Sequence, residues 1–229
     1  MRKSIAVIVC IIILGVFGFS VSFLTPTAEV VQEGYLYFDT FNPAFGIRWG
    51  LFGFMETGVS QVNQGAYIKV GFNEIYNKPF KLSMFYSNSF QDHSAISMAL
   101  GYTFEDIYVD TGVIYSETKQ YVEENGATVK KISKDYSFFA KTSIEIIEKE
   151  TSKSYINIEG TLDYVEDFNL DSYTIAFYGV QNFKNNLWIF EGLDLYAGLN
   201  INKNIADEDF SLLENVNVVL GLSTKVKVF

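Results

Sequence analysis

The residues able to do chemistry are few and scattered. His93 stands beside Ser94, and an imidazole activates a hydroxyl when a third group orients it. Neighbouring residues on a strand point to opposite faces, so His93 is not aimed at Ser94, and Ser97, which shares a parity with Ser83, offers no better-supported partner. One histidine and one cysteine in 229 residues are a weak basis for a transition-metal site. The run Asp207, Glu208 and Asp209 has the ligand type that calcium prefers, but it reads as a solvated charged connection. The expectation is a non-enzymatic chain with no cofactor and no metal.

A larger set of charged residues recurs at the polar positions of alternating segments. It comprises Arg48, Glu56, Lys69, Lys81, Asp110, Lys141, Glu145, Glu159 and Asp163, with Ser60, Ser83, Ser97, Asn157, Asn215 and Asn217 at equivalent places. Both signs on one face suit either a narrow wet passage or an interior filled by salt bridges and hydrogen bonds.

The elements that must position these residues are strands. Phe45, Ile47, Trp49 and Leu51 alternate with Gly46, Arg48 and Gly50, and Ala66, Ile68, Val70 and Phe72 alternate with Tyr67, Lys69 and Gly71. In the run from Ile96 to Phe104 the apolar set Ile96, Met98, Leu100, Tyr102 and Phe104 is interleaved with Ser97, Ala99, Gly101 and Thr103. Such period-2 patterns mark strands with one apolar and one wet face. They predict about 12 strands, with 10 or 14 as alternatives, at roughly 34–41, 44–51, 54–62, 66–73, 80–88, 94–104, 106–116, 134–147, 154–165, 171–182, 186–200 and 214–228.

In this scheme the connections after strands 6, 8 and 10 are short: Glu105, Glu148 to Lys153, and Phe183 to Asn185. Those after strands 7 and 11, Glu117 to Ser133 and Ile201 to Leu213, are long and fall at the opposite end. Residues 117–133 have a second reading as extensions of their two neighbouring strands, because Glu124-Asn125-Gly126 is a good hairpin turn. Pro26, Pro43 and Pro79 are the only prolines, and all precede or separate strands, as a closed sheet requires. Phe80, Tyr86, Tyr102, Phe104, Tyr136, Tyr164 and Tyr173 collect near strand ends, where rings sit at a bilayer boundary.

The ends and the charge balance bound the setting. Arg2 and Lys3 precede an apolar run from Ile5 to Phe19, with Ser20 and Ser22 following, so residues 1–22 are expected to be a signal peptide and 23–229 a single β-barrel domain. Cys10 lies within the apolar run, which leaves the expected mature chain without cysteine. With 27 acids against 17 bases the net charge is −10, a poor match for nucleic acid, whose affinity comes from neutralised phosphates.

The whole pattern resembles the bacterial outer-membrane β-barrels. Thr25 to Val30 followed by Gly34, and Gly50-Leu51-Phe52 followed by Glu56 and Gly58-Val59-Ser60, resemble segments of poorly characterised porin-like members, and Phe229 resembles the terminal aromatic residue of the class. The apolar residues Val216, Val218, Leu220, Leu222, Val226 and Val228 have the opposite parity to Phe229. The resemblance implies an all-β, closed antiparallel transmembrane barrel, exported through the periplasm and inserted in the outer membrane by barrel-assembly machinery. Its surroundings would be outer-membrane lipid, and its role a narrow porin-like channel for small solutes or ions or a structural membrane component. The alternative class is a secreted soluble β-protein that binds a ligand or partner, in which the apolar faces form an internal core.

Overall fold

The computed structural model describes residues 27–40, 46–60, 65–75, 78–89, 92–124, 127–165, 168–187, 189–206 and 215–228. The expected signal peptide, Pro26, Pro43, Phe45, Asn125-Gly126, Asp207 to Asp209 and Phe229 lie outside them. Twelve strands follow in order: β1 (Tyr35–Thr40), β2 (Gly46–Leu51), β3 (Met55–Ser60), β4 (Gly65–Phe72), β5 (Phe80–Ser89), β6 (His93–Phe104), β7 (Ile107–Glu124), β8 (Ala127–Glu148), β9 (Ser152–Val165), β10 (Asn169–Leu187), β11 (Phe190–Asn204) and β12 (Val216–Lys227). Each pairs antiparallel with its sequence neighbours, and β1 closes on β12, with Tyr35 opposite Lys227 and Thr40 opposite Leu222. Closure removes both sheet edges, so the backbone ladder needs no partner outside the chain.

Alternation sets which face looks where. Along β6, Ala95, Ser97, Ala99 and Gly101 are buried while Ile96, Met98, Leu100 and Tyr102 are exposed. Neighbouring strands match: Val59, Ile68, Val70, Val113, Phe138, Ile158, Phe177, Leu199 and Leu220 all lie exposed on the outer face. An apolar exterior of this extent is far larger than the few hundred Å² that soluble monomers show, and it fits hydrocarbon surroundings. The soluble alternative would turn these residues into the core; the barrel turns them out.

Aromatic residues border that exterior. Toward the end at which β1 begins, here the proximal end, Phe80 and Tyr102 pack with ring centroids 4.7 Å apart. Toward the other, distal end, one outward row runs Tyr86, Ile96, Tyr115, Tyr136 and Tyr164 across five consecutive strands. The Tyr136 ring stacks on Phe168 at 4.9 Å.

A lone Glu105 is too tight for a hairpin, and the β6–β7 turn borrows Asp106 to become a two-residue turn, with Glu105 at φ 49°. Two other connections differ from the sequence scheme. Phe183 to Asn185, expected as a turn, lies within β10, which continues past a register shift between Phe183 and Asn186 and pairs Leu187 with Phe190. A bulge of this kind bends a strand without ending it. At the distal end, residues 117–124 and 127–133 do not form a loop: they extend β7 and β8, paired continuously from Glu117 with Lys134 to Glu124 with Ala127. That hairpin and the connection after Asn204 both lie distally, the expected side for the two long connections.

Candidate functional site: the barrel interior

The polar parity faces the lumen, and its residues line up across the strands. One row runs Lys81, Gly101, Asp110, Lys141, Glu159, Ala176, Asn200 and Asn217 over β5 to β12. A second runs Glu56, Lys69, Phe85, Ser97, Ile114, Ser137 and Asp163. Acid and base alternate in the first, so directly opposed neighbours attract. Tyr178 donates to Glu159 Oε2 at 3.2 Å.

Arg48 reaches Asp39 with Nε at 2.5 Å from Oδ2 and an Nη2 contact to Oδ1 at 2.9 Å. This two-point geometry fixes the guanidinium plane, and Ser223 donates to the same carboxylate at 2.7 Å. The Arg48 guanidinium also lies 5.1 Å from the centre of the Tyr37 ring, within range of a cation–π attraction. Glu56 and Lys69 form an enclosed pair, 3.5 Å apart, with side chains 3% and 5% exposed. Tyr67 donates to Glu56 Oε1 at 2.7 Å, so the carboxylate is compensated by more than its lysine.

Glu145 and Asp163 lie nearer the two ends. Lys153 bonds both Glu145 oxygens, at 3.1 and 3.2 Å, and reaches Glu148 at 3.0 Å, where Lys184 joins at 3.0 Å. The register shift between Glu145 and Ile147 leaves Ile146 and Ile147 both exposed. At the distal end Ser172 donates to Asp163 Oδ2 at 3.1 Å.

Sequence reasoning missed the acid that holds Arg48, Asp39, and also Asp194, to whose Oδ1 Asn182 donates. Both sit beside bulky apolar neighbours on their strands, Phe38 and Leu195, and period 2 could have found them. More consequential is a segment that no strand pattern announced: residues 27–33 lie inside the barrel, against the inner wall. Ala28 and Val30 are 0% and 1% exposed. The backbone N–H of Val31 donates to Glu56 Oε2 at 3.1 Å and that of Val30 to Asn73 Oδ1 at 2.8 Å. Lys69 Nζ donates to Thr27 Oγ1 at 3.2 Å and to the Glu29 carbonyl, and Ser83 donates to the Thr27 carbonyl at 3.1 Å. Residues read as lumen charges thus tether a lumenal strap.

What remains open beside the strap is a cavity of about 380 Å³ bordered by Glu29, Arg48, Lys81, Asp110, Lys141 and the rings of Tyr37, Tyr108, Tyr155, Tyr178 and Tyr196. A second space of about 410 Å³ lies toward the proximal end among Asn182, Lys184, Glu191, Asp194 and Lys225. Mixed charge, hydroxyls and free volume can hold water and ions. His93 takes the inward parity, its Nδ1 2.9 Å from Thr118 Oγ1, while Ser94 takes the outward one. Among the described residues no group of three or more His, Asp or Glu side chains is placed to hold a metal ion.

No family model matches the sequence, and no curated protein does. Among solved structures the chain is similar to OmpT, an outer membrane protein of Vibrio cholerae, in its in-vitro folded trimer form, at 13% identity and a TM-score of 0.39, over 80% of this chain and 63% of that one. The chain therefore spans less than two thirds of the length of that protein. It is also similar to a loop L8 deletion mutant of OmpT, at 9% identity and a TM-score of 0.35, over 80% and 78% of the two chains.

Proposed function

We propose that this barrel resides in an outer membrane and acts as a narrow porin-like channel for ions or small solutes. The observation that carries the reading is the division of one closed sheet into an apolar exterior and a charged interior that keeps open volume. The first and last strands both reach the proximal end, and the short turns 52–54 and 105–106 lie there too. On this reading the proximal end faces the periplasm and the extended β7–β8 hairpin the outside, since short periplasmic turns and longer outer excursions are the habit of such barrels. Lipid is the partner of the outer face, and barrel-assembly machinery the expected route of insertion.

Purified chain in a planar bilayer is the test, after detergent extraction from carbonate-washed membranes. If the wet interior conducts, Arg48→Glu is expected to shift the reversal potential toward cations, because it replaces a cation with a second acid beside Asp39. Lys134→Glu, a reversal at an exposed position of the β8 extension, is expected to leave selectivity nearly unchanged. Equal effects from the two would contradict the assignment of Arg48 to the passage. A barrel that needs detergent for extraction but never conducts is a structural membrane component instead.

A further inference from the structure

We propose that residues 27–33 form an inner wall that sets the cross-section of the passage, with Glu29 as its selectivity-determining charge. The inference rests on the channel reading and adds a role for a segment outside the sheet. The strap has its own period-2 order. Ala28 and Val30 turn to the wall and are fully enclosed. Thr27, Glu29 and Val31 turn the other way and border the open cavity.

The wall is shaped to receive it. A Cβ at Gly50 would run into Gln32 O and come within 2.7 Å of Val31 O, backbone atoms of the strap, and one at Gly101 would come within 2.8 Å of Ala28 Cβ as well as 2.5 Å of Asp110 Oδ1. Side chains at these two positions, on the inward parity of β2 and β6, would occupy space the strap takes. Ala28 packs with Ala99 and Phe139, and its N–H points to Asp110 Oδ1 at 3.4 Å. The proximal end of the strap is tied as well, since Glu33 bridges to Gly50 and Gly34 N donates to Gly50 O at 3.1 Å. Side-chain and backbone tethers along the strap, together with a wall relieved at the points of contact, distinguish a built element from a tail resting in a pore.

Glu29 is the one acid among the residues of the strap that border the cavity. Its carboxylate meets Lys81 Nζ at 2.8 Å, yet its side chain is 60% exposed while that of Lys81 is 17% exposed. The carboxylate therefore presents itself to the open volume, across from Lys141 and the tyrosines of β7, β9, β10 and β11. A charge so placed acts on any ion that shares the cavity with it.

The test begins with placement. Outside Cys10 the chain has no cysteine, so Ala28→Cys with Ala99→Cys, two small residues that pack in one cluster, is expected to bridge on oxidation, read as a shift in gel mobility that reductant reverses. In that bridged barrel, Glu29→Lys is expected to move the reversal potential toward anions several-fold more than Glu33→Lys, at the proximal mouth. Deleting residues 27–33 is expected to raise single-channel conductance several-fold. A silent full-length chain whose deletion variant conducts keeps the strap as the limiting wall and revises only the resting state of the channel. Failure to bridge, equal shifts from Glu29→Lys and Glu33→Lys, or unchanged conductance on deletion in a conducting barrel overturns the strap's role and leaves the channel reading standing. If neither the full chain nor the deletion variant conducts, both fall. If the deletion variant does not fold, the bridged Glu29→Lys barrel decides.

Discussion

Arginine in place of Leu100 is expected to destabilise the folded barrel by about 2–4 kcal/mol, the cost of a guanidinium on the lipid face near the bilayer midplane. Leu100 lies on the outward face of β6, half exposed, opposite Leu82 on β5 and Thr111 on β7. The next residues on either side, Ala99 and Gly101, face the lumen, so the charge cannot be turned inward without breaking the register of the strand. Urea titration of the chain folded in lipid vesicles measures the loss. An effect as small as that of the same change at a soluble surface would mean that this face meets water.

Removal of one partner from the enclosed Glu56–Lys69 pair is expected to cost about as much, roughly 3–5 kcal/mol for Lys69→Met, because the carboxylate stays buried without its base. The double variant Lys69→Met with Glu56→Gln should recover much of that loss, since a neutral amide can accept from the Val31 N–H through its oxygen and donate to the Tyr67 hydroxyl through its NH2 without a stranded charge. The lysine also tethers the strap through Thr27 and the Glu29 carbonyl, and this part is not restored in the double variant. Denaturant midpoints of the wild type, both singles and the double give the coupling; a double variant as unstable as the sum of the singles would show that the pair is not coupled.

Much of the barrel was legible because lipid imposes a strict demand on one face of each strand. β6 shows why: five apolar residues at period 2 leave one register, and the structure uses it. The demand ends where the lipid ends. Beyond Tyr115, the residues of β7 run Ser116, Glu117, Thr118, Lys119 and Gln120, polar on both faces, so the extended hairpin carries no alternation and resembles a loop to any pattern reading. Asn182, Lys184 and Asn185 are turn-forming or charged residues, yet β10 absorbs them in a bulge. The nine inward charges followed from parity, but their partners did not. Cross-strand register, which pairs Asp110 with Lys141 and Lys141 with Glu159, is fixed by the hairpins and not by any single segment. The strap was hidden for a different reason: seven residues with three small apolar ones, Ala28, Val30 and Val31, look like the start of a first strand. Gly50 and Gly101, on the inward parity, were its trace in the sequence.

The central claim is that one face of the sheet meets lipid and the other water. A single-nitroxide scan along β6, from Ala95 to Tyr102 in reconstituted vesicles, tests it most directly, with collision rates measured against oxygen, which concentrates in lipid, and against a water-soluble nickel chelate. Oxygen accessibility is expected to peak at positions 96, 98, 100 and 102 and to fall at 95, 97, 99 and 101, with the two reagents out of phase by one residue. A scan with no period of two, or one in which the even positions respond to the chelate in place of oxygen, would contradict it.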